Sequence, residues 1–358
     1  MALESVSYSI LGAEFRVGLE AWRLRCRLKA MARRKRGRGR KKSRGILGLL
    51  LGTRWGRRFV GLVNVVILGV GVVWYFQQPP TRQAEIERLV SNYLKQEKDI
   101  QLTELAVDLY QYYYGSDFVV SDFDSPDGPV YGGLPDASAL KHRVRVLENE
   151  GYLCGYSDVL RSPLWVAYRL FDKEGLKSAG ERPSGFDADG RTMAKVSSSE
   201  YTGSGYDRGH LAPNFAISRC YGRDAQLGTF LMSNIVPQKH EMNAGLWKYL
   251  EERAAVNYSG RFGEVWVLTG PIFSADPKTL GKGVSVPDAC FKIMVDETEG
   301  KIRTQAFIVP QSAGHGAGLN RYMVSIDEIE RQTKLDFLSD LSDEIEKQVE
   351  GKAAARPW

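Results

Sequence analysis

Residues 59–76, FVGLVNVVILGVGVVWYF, run for 18 positions without a charge, and no other feature so narrows what this chain can fold into. As a helix rising 1.5 Å per residue the run covers about 27 Å, close to a bilayer hydrocarbon core of ~30 Å. A core helix of a soluble domain usually keeps one polar face, whereas this segment is apolar all round. Its flanks are those of an anchor. Arg57 and Arg58 stand at the front edge, and RRKRGRGRKKSR (33–44) lies further back. Trp74, Tyr75 and Phe76 make an aromatic end, and Pro79 and Pro80 stop the helix. The basic flank predicts a cytoplasmic N-terminus with everything after Thr81 on the far side of the membrane. A cleaved signal peptide is the rival reading, but no A-x-A-like site follows the run.

The net charge of +6 in 358 residues is unevenly spread. Residues 1–58 hold 17 of the 49 Lys and Arg but only Glu4, Glu14 and Glu20 of the 43 acids, a net of +14. The remainder therefore carries 32 bases and 40 acids, a net of −8. Any nucleic acid held by the main body must sit in a local basic cleft rather than in a global field. Four cysteines, Cys26, Cys154, Cys220 and Cys290, show no C-x-x-C spacing, which argues against a zinc site. The last three read as small buried hydrophobes, with room for one disulfide whose pairing stays open.

Between 82 and 116 apolar residues recur at helical spacing: Ile86, Leu89, Val90 and Tyr93, then Leu102, Leu105, Ala106 and Leu109. This reads as a stalk or an N-terminal lobe helix, followed by an Asp-, Gly-, Ser- and Pro-rich loop over 121–139. Strands are expected at 144–147, 164–170, 264–269, 290–295 and 304–309, and helices over 243–256 and 325–332. Strands that are mostly consecutive indicate an α+β layout. The expected division is a basic cytoplasmic arm (1–58), a transmembrane anchor (59–76), a helical stalk and linker (82–136), the principal domain (137–345) and a C-terminal tail (346–358).

The chemistry concentrates in YDRGHLAPN (206–214), where Asp207, Arg208 and His210 fall within four residues and Gly209 lets the backbone approach closely. Some way on comes SNIVPQKHEMN (233–243). Asn243, Trp247 and Glu251 recur at i, i+4 and i+8, which places Asn243 and Glu251 on one helix face about 12 Å apart along the axis. An amide oxygen and a carboxylate so placed suit a Mg2+ ion that keeps most of its waters, with Asn243 a direct ligand and Glu251 reaching a metal-bound water. Phosphodiester hydrolysis needs a base for water, a cation, and neutralisation of the phosphorane. An imidazole, hard oxygen ligands and guanidiniums would supply them. Taken alone, DRGH fits a structural turn equally well, and Asn243 with Glu251 fits a helix cap and a solvated glutamate.

DRGH, then SNxxPQ, then N-x-G-x-W-x-x-L-E together resemble the DNA/RNA non-specific endonucleases of the ββα-metal superfamily, which include secreted bacterial nucleases and the mitochondrial endonuclease G type. The resemblance covers about residues 130–345 and takes in VYGGLP (130–135), PLWVAYRL (163–170), VWVLTGPIF (265–273), VPDACFKI (286–293) and VSIDEIERQTKLDFL (324–338), in order. It implies a ββα-metal nuclease fold, a mainly antiparallel central sheet flanked by helices, here preceded by one N-terminal transmembrane helix. It implies a sugar-non-specific endonuclease acting on DNA and RNA with one Mg2+, Mn2+ being able to substitute. His210 would be the general base, Asn243 the direct metal ligand, and Glu251 the residue that positions a metal-bound water. Arg208 would neutralise the phosphorane, Asn234 would orient the site through hydrogen bonds, and Arg182, in ERPSGF, matches by order the upstream arginine that contacts phosphate. Asp207 reads as a support for backbone or arginine geometry rather than a second ligand.

An imidazole near its reference pKa of ~6.5, held down by the adjacent arginine, predicts activity falling below about pH 6. His142, His240 and His315 read as structural or surface histidines. The expected partners are DNA and RNA, a membrane through the N-terminal helix, and a second copy in a homodimer. The catalytic domain would be extracytoplasmic, periplasmic in a bacterium or on the inner mitochondrial membrane in a eukaryote. The rival readings are a catalytically inactive nucleic-acid-binding module and a phosphodiesterase acting on a small or lipid-linked substrate.

Overall fold

Long runs rich in β-branched and aromatic residues build the centre of the protein. The computed structural model describes residues 102–115, 117–123, 127–171, 181–298, 300–314 and 318–358, with scattered positions between 69 and 91. The chain divides into two compact units, residues 1–78 and 79–358.

The second unit is organised around one eight-stranded sheet. Its strands are β1 (Val119–Val120), β2 (Arg145–Asn149), β3 (Tyr152–Ser157), β4 (Ser162–Phe171), β7 (Glu264–Ile272), β10 (Ala289–Thr298), β11 (Lys301–Pro310) and β12 (Met323–Val324). The order is β1-β11-β10-β7-β4-β3-β2, with β12 also on β11, and every pairing is antiparallel. Two hairpins stand apart: β5 (Asp207–His210) with β6 (Ile235–Gln238), and β8 (Thr279–Leu280) with β9 (Val284–Ser285). The architecture is α+β with an antiparallel centre, as the strand pattern predicts. All five expected strands are present, each longer than its apolar stretch. β3 was not anticipated, because YLCGYS is buried at nearly every position and so lacks the alternation of a half-exposed strand.

Period-two alternation sorts the central strands onto two cores. Val166, Tyr168 and Leu170 of β4, Val265 and Val267 of β7, and Cys290 and Met294 of β10 face one side. Trp165 and Ala167, Trp266 and Leu268, and Phe291, Ile293 and Val295 face the other. The first side is covered by β6, α2 (Asn214–Tyr221), α3 (Arg223–Gly228) and a helical run over residues 240–262, here α4. The second is covered by α5 (Ile326–Thr333) and α6 (Asp343–Glu350).

The segment read as a stalk and linker is packed on this body. Helix α1 (Leu102–Tyr114) places Asp108 2.7 and 2.6 Å from the Arg261 guanidinium and 3.7 Å from Arg303. Glu104 meets Arg253 and Asn257, each at 3.1 Å. Strand β1 extends the sheet, and Tyr131 is fully buried against Trp266. Cys154, Cys220 and Cys290 are buried thiols, none of them in a disulfide.

In the first unit residues 72–76 are helical, and Val72, Val73 and Phe76 are exposed. Most of the expected anchor and all of the basic arm lie outside the described residues, as does His315. Among the described residues no helix is long and apolar enough to cross a membrane.

Candidate active site

Gly209 allows the site to form. It pairs with Val236 of β6, and the side chain of Gln238 lies where a Cβ at position 209 would sit. Asn234, fully buried, closes the turn that follows His210. Its Oδ1 accepts from the Ala212 amide at 2.8 Å, and its Nδ2 donates to the carbonyls of Ala212 and Thr229 at 3.0 and 2.9 Å.

Helix α4 crosses the hairpin and is tied to both ends of β5. Asn243 Nδ2 donates to Asp207 Oδ2 at 2.9 Å, and Trp247 Nε1 donates to the His210 carbonyl at 3.3 Å. Because a carboxylate only accepts, Asp207 fixes which end of the Asn243 amide it holds, and Oδ1 is turned away from it. Asp207 thus supports Asn243 rather than an arginine, which corrects part of the sequence reading. The same Oδ2 lies 2.9 Å from Nδ1 of His240, whose side chain is 77% exposed.

The helix is not uniformly α. Asn243–Trp247 forms a wider i→i+5 turn, with Gly245 at φ −101°, ψ −107°. In a regular α-helix residues eight apart are offset by roughly 80°. The wider turn reduces that offset, so Asn243 and Glu251 share a face more nearly than uniform α geometry allows. Such turns recur at functional sites.

His210 sits between two aromatic rings, with Phe186 at 5.4 Å and Phe230 at 5.0 Å between centroids. Its ring is partly exposed, but Nε2 is sealed and has no hydrogen-bond partner among the described residues. Burial, with the charge of Arg182 second, holds its pKa down to about 3. The sequence reading credited Arg208 with that effect and expected only a modest depression; both points are corrected. Arg208 shares the His210 side of β5, but its Nε and Nη2 donate to the Ser198 carbonyl at 3.2 and 2.7 Å, and Nη2 also reaches Thr202 Oγ1 at 3.3 Å. Arg182, the assignment made by order alone, stacks over the Phe230 ring at 5.5 Å and is exposed. Two guanidiniums therefore flank the aromatic walls of the imidazole, one tethered and one reaching into solvent.

Glu251 brings a partner that the sequence reading missed. Its Oε1 is sealed without a hydrogen-bond partner among the described residues, and burial raises its pKa against the pull of Lys292. Lys292 is fully buried on β10, with Nζ 3.2 Å from the Tyr168 hydroxyl and 4.4 Å from the centre of the Trp247 ring. Burial lowers its pKa and Glu251 raises it. One signal was available: Lys292 is a single charge inside ACFKIMV, in phase with Cys290 and Met294 on the α4 side of the sheet. Phe186 and Phe230 carried no such signal, since loop contacts bring them to His210.

On the helix, the oxygen donors that could hold a cation are the amide oxygen of Asn243 and the carboxylate of Glu251. Hard oxygen donors with an unpartnered buried carboxylate oxygen fit a small divalent ion. A two-stranded hairpin crossed by a helix, carrying an imidazole on the hairpin and oxygen donors on the helix, is the ββα class of site. The model of the DNA/RNA non-specific endonucleases matches residues 137–344, and the chain belongs to that family.

Mitochondrial endonuclease G of Bos taurus is 32% identical over 225 residues, covering 58% of this chain and 72% of that protein. A nuclease of Nostoc sp. is 33% identical over 214 residues, covering 56% of this chain and 76% of that protein. A solved structure of an EndoG/EndoGI complex superposes with a TM-score of 0.52 at 24% identity, over 59% of this chain and 92% of the other, a likeness of fold.

Proposed function

We propose that this protein is a membrane-anchored endonuclease that hydrolyses phosphodiester bonds of DNA and RNA, with His210 as general base and a divalent cation, Mg2+, at Asn243. The observation that carries the reading is an imidazole set between Phe186 and Phe230, on a hairpin that Asp207 ties to an asparagine whose amide oxygen is turned away from that carboxylate. A base must be neutral to take a proton from water, and burial of His210, with the charge of Arg182 second, favours that state.

The attacking water gives its proton to the imidazole as its oxygen bonds to phosphorus, and the bond from phosphorus to the bridging oxygen breaks. The cation, when bound, withdraws charge from the phosphate and stabilises the departing oxygen. Asn243 and Glu251 would hold it, Asn243 directly and Glu251 through water. Arg182, exposed beside His210, meets the phosphate. Arg208, with two of its nitrogens on the Ser198 carbonyl and its guanidinium 6.0 Å from the centre of the Phe186 ring, adds its charge from there. Contacts addressed to phosphate rather than base edges carry no sequence information, in keeping with a non-specific family.

Residues 59–76 would anchor the chain, the basic arm staying on the cytoplasmic side or, across the inner mitochondrial membrane, in the matrix. The exposed apolar side chains of Val72, Val73 and Phe76 suit lipid. In a eukaryotic cell, and in line with the mitochondrial relatives, the inner mitochondrial membrane is the site, with the nuclease domain in the intermembrane space. In a bacterium the domain is periplasmic.

The test is cleavage of plasmid DNA and of RNA by the full chain in Mg2+, beside His210→Ala. Substitution should cost on the order of 10²–10⁴ in rate, and EDTA should abolish cleavage. Nucleic acid bound but uncut by the wild type in Mg2+ would establish the inactive binding module instead. Turnover of a small chromogenic phosphodiester in preference to nucleic acid would favour the other rival.

A further inference from the structure

Across the sheet from the candidate active site, three acids converge where α5 meets α6. Carboxylate oxygens of Asp327, Glu330 and Glu350 all lie within 4.8 Å of one another. Ionised together, the three would repel one another, and among the described residues none of the three is in an ion pair. Glu350 is only 4% exposed, and its Oε1 has no hydrogen-bond partner among the described residues. It also closes α6, where the unsatisfied carbonyls of a helix C-terminus disfavour a further negative charge.

We propose that Asp327, Glu330 and Glu350 form a second divalent-cation site, of Ca2+ size, that pins α5 to α6 and is separate from the catalytic ion. Carboxylates are hard ligands, and Ca2+ takes six to eight oxygens at about 2.3–2.6 Å, so two oxygens on one ion can lie nearly 5 Å apart. Mg2+, at about 2.0–2.1 Å, requires a tighter set. The partners of the three side chains leave room for an ion. Glu330 Oε1 accepts from the Phe337 amide at 2.7 Å, leaving its second oxygen available, and Asp327 is exposed, so an ion can enter from solvent and keep waters.

The charged neighbours of Glu350 that shift its titration are Glu330, Glu346, Asp327 and Asp336, all acids. With burial as the larger cause, they push its pKa up to about 10 in the metal-free protein. An ion there would hold α5 against α6, whose apolar faces (Ile326 and Ile329, Ile345 and Val349) cover the second core.

The experiment is thermal melting of the full chain, stripped with EDTA and dialysed, with CaCl2 or MgCl2 added, together with a count of calcium retained per chain after gel filtration. The wild type should gain at least about 3 °C in 1 mM Ca2+, and less in Mg2+, because ligand bound only to the folded state raises Tm. Asn243→Ala, which lacks the candidate catalytic ligand, should keep the gain. Glu350→Gln should lose most of it and retain one calcium fewer. Because Glu350→Gln replaces a buried carboxyl and so alters the metal-free Tm, Asp327→Asn/Glu330→Gln serves as a second variant with the same expected loss. No gain in the wild type, or a gain undiminished in both variants, overturns the site.

Discussion

His210 is held neutral chiefly by burial, and that has a cost outside catalysis. The unfolded chain takes up a proton at this residue below a pKa of ~6.5, whereas the folded protein resists until about 3. The stabilising contribution is therefore complete above pH 6.5 and is lost as pH falls toward 3. Between pH 7.5 and 5 the loss should be about 1–2 kcal/mol, after discounting for the partly exposed ring. Urea unfolding of wild type and His210→Gln in EDTA at those two pH values would show it, the difference between the proteins shifting toward the variant at pH 5. A shift toward the wild type would contradict the assigned burial. Lys292 poses the converse case. Lys292→Met removes the cation that opposes protonation of Glu251, so kcat should fall by roughly 10- to 100-fold, as substitutions behind metal ligands do. Lys292→Arg should not restore it, since the longer guanidinium does not fit beside Trp247 and Tyr168 without displacing them. A kcat unchanged in Lys292→Met would reduce the lysine to a packing role.

At the scale of elements, ion pairs and hydrogen bonds join α1 to the body. Asp108 is buried between Arg261, 1% exposed, and Arg303, 3% exposed, and Arg303 is also held by Asp296 at 2.7 Å. Asp108→Ala leaves the Arg261 guanidinium without its carboxylate, which should cost about 3 kcal/mol. Arg261→Met in the same protein should recover part of that loss, and chemical denaturation of the two singles and the double measures the coupling. Additive losses would mean that the pair contributes no interaction. The hairpin β5–β6 and α4 show how elements make a site from modest parts. Four-residue strands bury little by themselves, and their geometry is set by Asn234 within the turn and by the bonds from Asp207 and His210 to α4.

For the whole molecule, the opposed charges of the two parts, +14 over residues 1–58 and −8 over the rest, suit a chain whose ends lie on different sides of a membrane. The full chain expressed in cells should stay with membranes through alkaline carbonate extraction, and protease added from the cytoplasmic side should remove the arm while sparing the nuclease domain. Recovery of the protein in the carbonate supernatant would argue against the anchor. On the proposed reading, substrate binding by an acidic body would rest on few cations, Arg182 and Arg208 among them.

Local pattern was enough for the five principal strands, the helix after residue 243, the α+β class and the identity of the ββα unit, because alternation, helical spacing and the blocks around DRGH are properties of neighbouring residues. It could not reveal β3, buried on both faces and so without alternation, nor the packing of α1 and β1 onto the sheet. It also could not separate the two arginines. Arg208 and His210 are adjacent in phase on β5, yet Arg182, 28 positions earlier, is the one whose charge acts on the imidazole, because a loop folds back over the hairpin. Burial, the distance to a charge across the sheet, and the convergence of Asp327, Glu330 and Glu350 from two helices depend on residues remote in the chain. They exist only once the sheet brings those residues together.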